Sequence, residues 1–379
     1  MGAYLSQPVT TKDTFAGSGK NTTYGGASMQ GWRRSMEDAH IAQTGMSEGE
    51  ETALFGVFDG HGGSEVAKFC KKYMAPELRN MTQYQQGRIN DSLVEVFHKM
   101  DQMLKDDAYH TELDEMRGAK GNDGPASEGS LSGEKASKSE DDDGGIVSTA
   151  EAVDMLKRLM QIKRLMNSEK EDPTDEAQES LESAPAEAPS QEPEGEPRIQ
   201  AGCTAVVALL RGNELFVANA GDSRAILCRN GTAVPLSHDH KPASEIEKSR
   251  IMAAGGFLSE VGGVTRVNGN LNLSRAIGDL KYKGNQQLAA KDQIITAQPD
   301  VVQMTLNSSD RFMVLACDGV WDVLSNQEVV NFVNQRLDKN MSCTEVAQEL
   351  LDRCLAPDPK ETKGIGCDNM TATIVLLHF

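Results

Sequence analysis

The chain has 379 residues, of which 38% are hydrophobic, and a net charge of −19; that fits one large α/β or β-sandwich domain carrying an insertion. The charge speaks against a nucleic-acid binder with a basic footprint, and no apolar run approaches the roughly 18 residues that would cross a bilayer. Seven cysteines without a Cys-x-x-Cys, and no positive-then-apolar leader, read as free thiols of a reducing compartment.

In chain order, Ala53–Phe58 is the first apolar run that reads as a buried strand, followed by predicted helices over Gly63–Leu78 and Ile89–Leu104. The composition then changes. Residues 111–198 hold 23 acidic and 10 basic residues, so this stretch carries −13 of the total charge. Its runs Ser139-Glu-Asp-Asp-Asp-Gly-Gly145 and Pro185-Ala-Glu-Ala-Pro-Ser190 cannot bury enough apolar surface to offset chain entropy, which predicts a disordered acidic insertion. Within it, residues 151–166 place Ala152, Met155, Leu156, Leu159, Met160 and Leu165 near one helical face, with lysines and arginines mostly elsewhere. Such an amphipathic helix packs back on its own domain or docks on a calmodulin-like partner. Beyond the insertion, strands are predicted at Thr204–Leu210, Glu214–Asn219, Arg311–Cys317 and Met370–Leu377, and helices at Ser244–Ala254, Asn326–Leu337 and Cys343–Leu355. Consecutive strand pairs, without strict βαβ alternation, favour antiparallel sheets with helices outside.

Carboxylates stand where these strands end. Phe58 runs into Asp59-Gly60-His61-Gly62-Gly63, Cys317 into Asp318-Gly319-Val320-Trp321-Asp322, and Cys367-Asp368-Asn369 precedes the last strand. Glu37, Asp38 and Asp222 lie in similar settings. Singly, each Asp-Gly is a turn, because both residues tolerate turn backbone angles. Brought together at one end of a common core, the carboxylates would repel unless cations lay among them. Oxygen ligands with few His or Cys nearby select Mg²⁺ or Mn²⁺ over zinc, and the set suits two ions bridged by one Asp and an activated water. Arg33 could fork two phosphate oxygens, or be a surface arginine beside Trp32. His61 could protonate a leaving oxygen as general acid, or hold a metal-bound water.

Eight segments carry a resemblance. They are Gly31-Trp-Arg-Arg-Ser-Met-Glu-Asp-Ala-His40, Val57-Phe-Asp-Gly-His-Gly-Gly63, Gly202-Cys-Thr-Ala205, Ala218-Asn-Ala-Gly-Asp-Ser-Arg224, Asp239-His-Lys-Pro242, Leu273-Ser-Arg-Ala-Ile-Gly-Asp279, Ala316-Cys-Asp-Gly-Val-Trp-Asp322 and Gly366-Cys-Asp-Asn369. In content and order the sequence resembles the type 2C metal-dependent serine/threonine protein phosphatases, the PPM family. The resemblance implies an α+β fold: a central β-sandwich of two antiparallel sheets flanked by α-helices in four layers. It also implies hydrolysis of phosphoserine and phosphothreonine by water activated between two Mg²⁺ or Mn²⁺ ions, with no phosphoenzyme. Asp59 would bridge the ions, the Gly60 carbonyl would join the first, and Asp318 and Asp368 would bind the second. Glu37 and Asp38 would hold metal-bound waters, Arg33 the phosphate, and His61 would act as general acid. Asp222, with Asp318, matches positions linked to a third, weaker metal, and Asp322, a further candidate metal ligand, takes a place where some relatives carry Asn.

Residues 1–8, the acidic insertion and Cys354-Leu-Ala-Pro-Asp358 resemble the gamma subtype, although the insertion is shorter and no Lys-rich tail follows Phe379. Gly2 and Ser6 fit the N-myristoylation pattern, and one acyl chain gives only reversible membrane association. A cytoplasmic monomer acting on phosphoproteins is expected, peripheral to a membrane only if Gly2 is acylated, with nuclear residence unsupported by any basic tail. Basic proteins are candidate partners of the insertion, and direct nucleic-acid binding is not expected. Two alternatives stand beside this reading: a phosphatase of small phosphoesters, and a scaffold that binds basic proteins through the insertion.

Overall fold

The structure is a computed structural model that describes residues 4–46, 52–118 and 197–379. Gly2, the 151–166 segment and most of the acidic insertion lie outside the described residues. Strands β1 (Val9–Ser18), β2 (Thr22–Gly31), β3 (Ala39–Thr44) and β4 (Thr52–His61) come first. Helices α1 (Glu65–Asn80), α2 (Thr82–Gln85), α3 (Ile89–Leu104) and α4 (His110–Gly118) follow. Then come β5 (Gly202–Arg211), β6 (Glu214–Ala220), β7 (Arg224–Arg229), β8 (Thr232–Pro235), α5 (Glu245–Ala253), β9 (Leu258–Val261), β10 (Val264–Val267) and β11 (Ile277–Gly278). The chain closes with β12 (Asp300–Thr305), β13 (Asp310–Ala316), α6 (Asp318–Trp321), α7 (Asn326–Leu337), α8 (Cys343–Cys354) and β14 (Met370–Leu377).

Two antiparallel sheets form the centre, ordered β1-β2-β14-β13-β7-β8 and β12-β6-β5-β4-β3, with β11 pairing the start of β5. Side-chain alternation explains the layering. Along β4, Phe55 and Val57 face the other sheet, while Leu54 and Phe58 face α1 and α3. Val206, Ala208 and Leu210 of β5 and Met313 and Leu315 of β13 complete the layer between the sheets. On the far side, Phe312, Val314 and Ala316 meet α7 and α8. Central strands buried on both faces therefore read as unbroken apolar runs, and a four-layer α-β-β-α sandwich results.

The acidic composition begins before the fold ends. Residues 111–118, assigned by composition to the insertion, belong to α4, which buries Leu113 fully and accepts Lys68 Nζ on the Met116 carbonyl at 2.8 Å. Arg117 Nε pairs with the buried Glu65 Oε1 at 2.9 Å. One apolar anchor every two turns is too sparse to show in a charge count.

Candidate active site

Antiparallel register gathers the strand ends. Met370, opening β14, pairs with Met29 near the end of β2, and Ala372 with Ala316, the last residue of β13. Arg224, opening β7, pairs with the same Ala316, and Ala39, opening β3, with Phe58 of β4. The segments that follow or precede these residues, Trp32–Asp38, Asp59–Gly63, Gly221–Ser223, Asp318 and Asp368–Asn369, consequently meet at one edge of the sandwich.

They enclose a cleft of about 680 Å³ lined by Arg33, Glu37, Asp59, Gly60, His61, Asp222, Asp318 and Asp368, with Tyr4, Arg266 and Asn270–Leu273 on its walls. Asp38 lies beside Asp59: ligand atoms of Asp38, Asp59 and Cys317 all fall within 4.8 Å of one another. Asp322 is exposed at the end of α6 and lies outside the cleft lining. The structure thus brings eight of the predicted residues into one cleft, places Asp38 next to it, and leaves Asp322 at its margin.

Local packing fixes each position. Trp32 Nε1 donates to the Ala356 carbonyl at 2.9 Å, anchoring the loop that presents Arg33. Asn369 staples that loop: its Nδ2 donates to the Gln30 and Ser35 carbonyls at 2.8 and 2.9 Å, and its Oδ1 accepts the Glu37 amide at 2.9 Å. Gly60 has no room for a side chain, since a Cβ there would sit 2.3 Å from the Glu37 carbonyl oxygen. Asp38 Oδ2 accepts from Thr371 Oγ1 at 2.8 Å, and Glu37 Oε1 from Ser35 Oγ at 2.8 Å. His61 Nε2 and Asp279 Oδ2 are 2.7 Å apart. Asn369, Thr371 and Asp279 received no role from the sequence. Two of them sat inside quoted motifs, which was the only available signal, because their partners are distant in sequence.

Charge is badly balanced here. Burial, then the neighbouring Asp318, Asp38 and Asp368, push the Asp59 carboxyl well above the usual range. Burial and the Asp222 and Asp368 charges do the same to Asp318, and Asp38 is raised to about 7, chiefly by burial. Side-chain cations pair with two of these acids. Arg33 Nη2 lies 2.5 Å from Asp368 Oδ2, and Lys241 Nζ donates to Asp222 Oδ2 at 2.5 Å. Asp38 Oδ1 is sealed from solvent with no hydrogen-bond partner. A buried carboxylate oxygen without a donor, amid acids held toward their neutral forms, fits a site built for hard cations. Cys317 does not change that: burial first, then Asp38 and Asp59, hold its thiol well above its ordinary pKa, and its sulfur already accepts the Thr371 amide at 3.1 Å. At His61, burial opposes the imidazolium, yet Asp279 outweighs it and raises the pKa.

A family model described as "Protein phosphatase 2C" matches residues 22–121 and 139–362. Among similar proteins, "Probable protein phosphatase 2C 21" of Arabidopsis thaliana is 38% identical over 100% of this chain and 93% of its own length. "Probable protein phosphatase 2C 11" of Oryza sativa subsp. japonica is 40% identical over 99% of this chain and 90% of its own. A Paramecium tetraurelia relative, "Probable protein phosphatase 2C 4", is 38% identical over 100% and 99%. Among solved structures, a phosphatase from a pathogenic strain of Toxoplasma gondii superposes with a TM-score of 0.60 at 20% identity, covering 97% of this chain and 96% of that one. This last likeness concerns the fold, whereas the family model and the relatives span nearly the whole sequence: the chain belongs to the protein phosphatase 2C family of metal-dependent serine/threonine phosphatases.

Proposed function

We propose that the chain hydrolyses phosphoserine and phosphothreonine esters in proteins by direct attack of water, without a phosphoenzyme, at the acidic cleft. The observation that carries this reading is the convergence of Asp38, Asp59, Asp318 and the one-third-exposed Asp368 at one cleft, where burial and mutual repulsion hold Asp38, Asp59 and Asp318 toward their neutral forms although Arg33 and Lys241 stand beside them. Asp59, the Gly60 carbonyl, Asp318 and Asp368 would hold two Mg²⁺ or Mn²⁺ ions, with Glu37 and Asp38 directing waters toward them and Asp222 serving a weaker third site. Bound there, the ions would lower the pKa of a water and take up charge from the phosphoryl group.

The remaining roles fall to side chains. Arg33, half exposed at the rim, can swing its guanidinium from Asp368 to two phosphate oxygens and bind them as a fork. His61 faces the cleft and gives its proton to the serine or threonine oxygen as that oxygen leaves. A thiol nucleophile has no support, since Cys317, whose sulfur lies within 4.8 Å of the Asp38 and Asp59 ligand atoms, is held protonated and already hydrogen-bonded. Replacing Asp59 with Asn should lower kcat at least about 10³-fold, because the loss removes several kcal/mol of transition-state stabilisation, while the thermal midpoint stays unchanged or rises. Near-wild-type Mn²⁺-dependent turnover of a phosphopeptide by that variant would sink the assignment.

The acidic stretch extends the reading. Its charge suits basic phosphoproteins, and the gamma-like features of residues 1–8 and 354–358 accord with such a recruiter. Deleting residues 119–196 should weaken pulldown of basic proteins with small-substrate turnover retained; unchanged pulldown counts against recruitment. Acylation of Gly2 remains part of the same proposal, as a reversible membrane tether.

A further inference from the structure

We propose that Asp279 is the positioning residue of the proton donor. It would fix the His61 ring so that Nδ1 serves the leaving oxygen while Nε2 stays bound to the Asp279 carboxylate. The inference rests on His61 acting as donor in the reading above.

The geometry is built for this bond. His61 Nε2 and Asp279 Oδ2 lie 2.7 Å apart, with the Asp279 side chain 2% exposed and that of His61 26% exposed. They reach one another across the bare backbone of Gly202, which pairs with His61 of β4 on one side and with Gly278 of β11 on the other. A Cβ on Gly202 would sit 2.4 Å from Asp279 Oδ2 and 2.7 Å from His61 Nε2, so any side chain there would occupy the bond's own path. Asp279 takes a left-handed backbone conformation, φ +50°, seldom adopted outside glycine, asparagine and aspartate. Its amide donates to the Ala201 carbonyl at 3.0 Å, and its carbonyl accepts the Tyr282 amide at 2.9 Å. Behind it, Asp101 on α3 accepts the Gly278 amide at 2.8 Å and pairs with Lys283 Nζ at 2.6 Å. Lys283 Nζ also donates to the Ala276 carbonyl at 2.7 Å. An otherwise unfavoured backbone is thus locked by a buried ion pair, and its visible product is the carboxylate against His61.

The chemistry explains the need. As water's oxygen bonds to phosphorus, the ester P–O bond breaks and its electron pair stays on the serine or threonine oxygen. An alkoxide is a poor leaving group, and a proton passing to it from Nδ1 relieves the charge. Asp279 accepts from Nε2–H and so fixes both the orientation of the ring and the nitrogen left to face the leaving oxygen, as carboxylates do beside catalytic or metal-binding imidazoles. An asparagine would preserve the shape, but its N–H offered to Nε2 would keep that nitrogen unprotonated, so Nδ1 would have to give up the only proton of a neutral ring.

Leaving-group dependence tests this. The purified, Mn²⁺-loaded full chain is assayed on a phosphothreonine peptide, which needs the proton, and on p-nitrophenyl phosphate, whose phenolate departs without one. His61→Ala and Asp279→Asn should each lower kcat on the peptide about tenfold or more and change the aryl phosphate rate by less than about threefold. The double variant should be no slower than His61→Ala. Equal losses on both substrates for Asp279→Asn, with His61→Ala selective, overturn the positioning role and leave His61 as donor. Absence of selectivity in His61→Ala overturns both. Should Asp279→Asn fail to fold, Asp279→Glu retains the charge and shifts the ring; a peptide-selective loss supports the role, and an equal loss or none overturns it.

Discussion

Two clusters of acids, each at least partly withdrawn from solvent, sit within one domain and behave in opposite ways. Around Glu247 the cations are built in. Arg275 Nη2 and Arg250 Nη1 each lie 2.6 Å from its carboxylate, Ser274 Oγ donates at 2.6 Å, and Arg275 continues to Asp300, which also meets His240 Nε2 at 3.0 Å. Burial alone would raise the Glu247 carboxyl, but Arg275 and Arg250 outweigh it and hold it down at about 2. Asp300 is likewise held below the usual range, first by its hydrogen bond from His240. Around Asp59 the acids are partly buried in the cleft, yet the pKa values of Asp59, Asp318 and Asp38 rise. Burial of carboxylates is therefore no signature of a site. What separates the two clusters is whether the chain supplies its own positive charge.

Breaking each cluster sharpens the contrast. Glu247→Gln should be the more costly, destabilising by about 3–5 kcal/mol because two arginines are left buried and underpaired; calorimetry or a urea midpoint measures it, and a loss below about 1 kcal/mol would mean water already screens the network. In the acid cleft the sign should reverse. Asp38→Asn should stabilise the EDTA-treated protein by about 1–3 kcal/mol at pH 8, since it removes a buried charge at the expense of function. The pH dependence follows from the raised pKa. Between about 4 and 7 the folded chain keeps a proton that the unfolded chain has released, so wild-type stability falls as pH rises through that window. The gain in Asp38→Asn should accordingly be full above about pH 7 and absent below about pH 4. Saturating Mn²⁺ should erase or invert it. A variant less stable than wild type at pH 8 without metal would contradict the electrostatic picture.

Legibility differed by element for physical reasons. Strands β4, β5, β13 and β14 were readable because both faces are buried, which leaves unbroken apolar runs. Helices α3 and α7 fell on their predicted limits. Strand β2, TTYGGASMQG, was not readable: α8 lies directly on it, so small residues replace the branched ones that mark a strand. Strand β1 is an edge strand with most side chains in solvent, and the short β9–β10 hairpin leans on few core residues.

The candidate site divides along the same line. The sequence by itself determined the kinds of residue present and their order: acids at strand ends, an arginine after Trp32, a histidine beside Asp59. It also determined the family, through motifs whose spacing an ordered backbone preserves. Only the tertiary structure decided which acids face the cleft, that Asp38 lies beside Asp59 while Asp322 stays outside the cleft lining, and that Asp279 meets His61 across a gap of 218 residues. Sequence encodes side-chain chemistry locally, but a pKa or a hydrogen bond depends on distance and burial, and these exist only once antiparallel strands have brought remote segments to one edge.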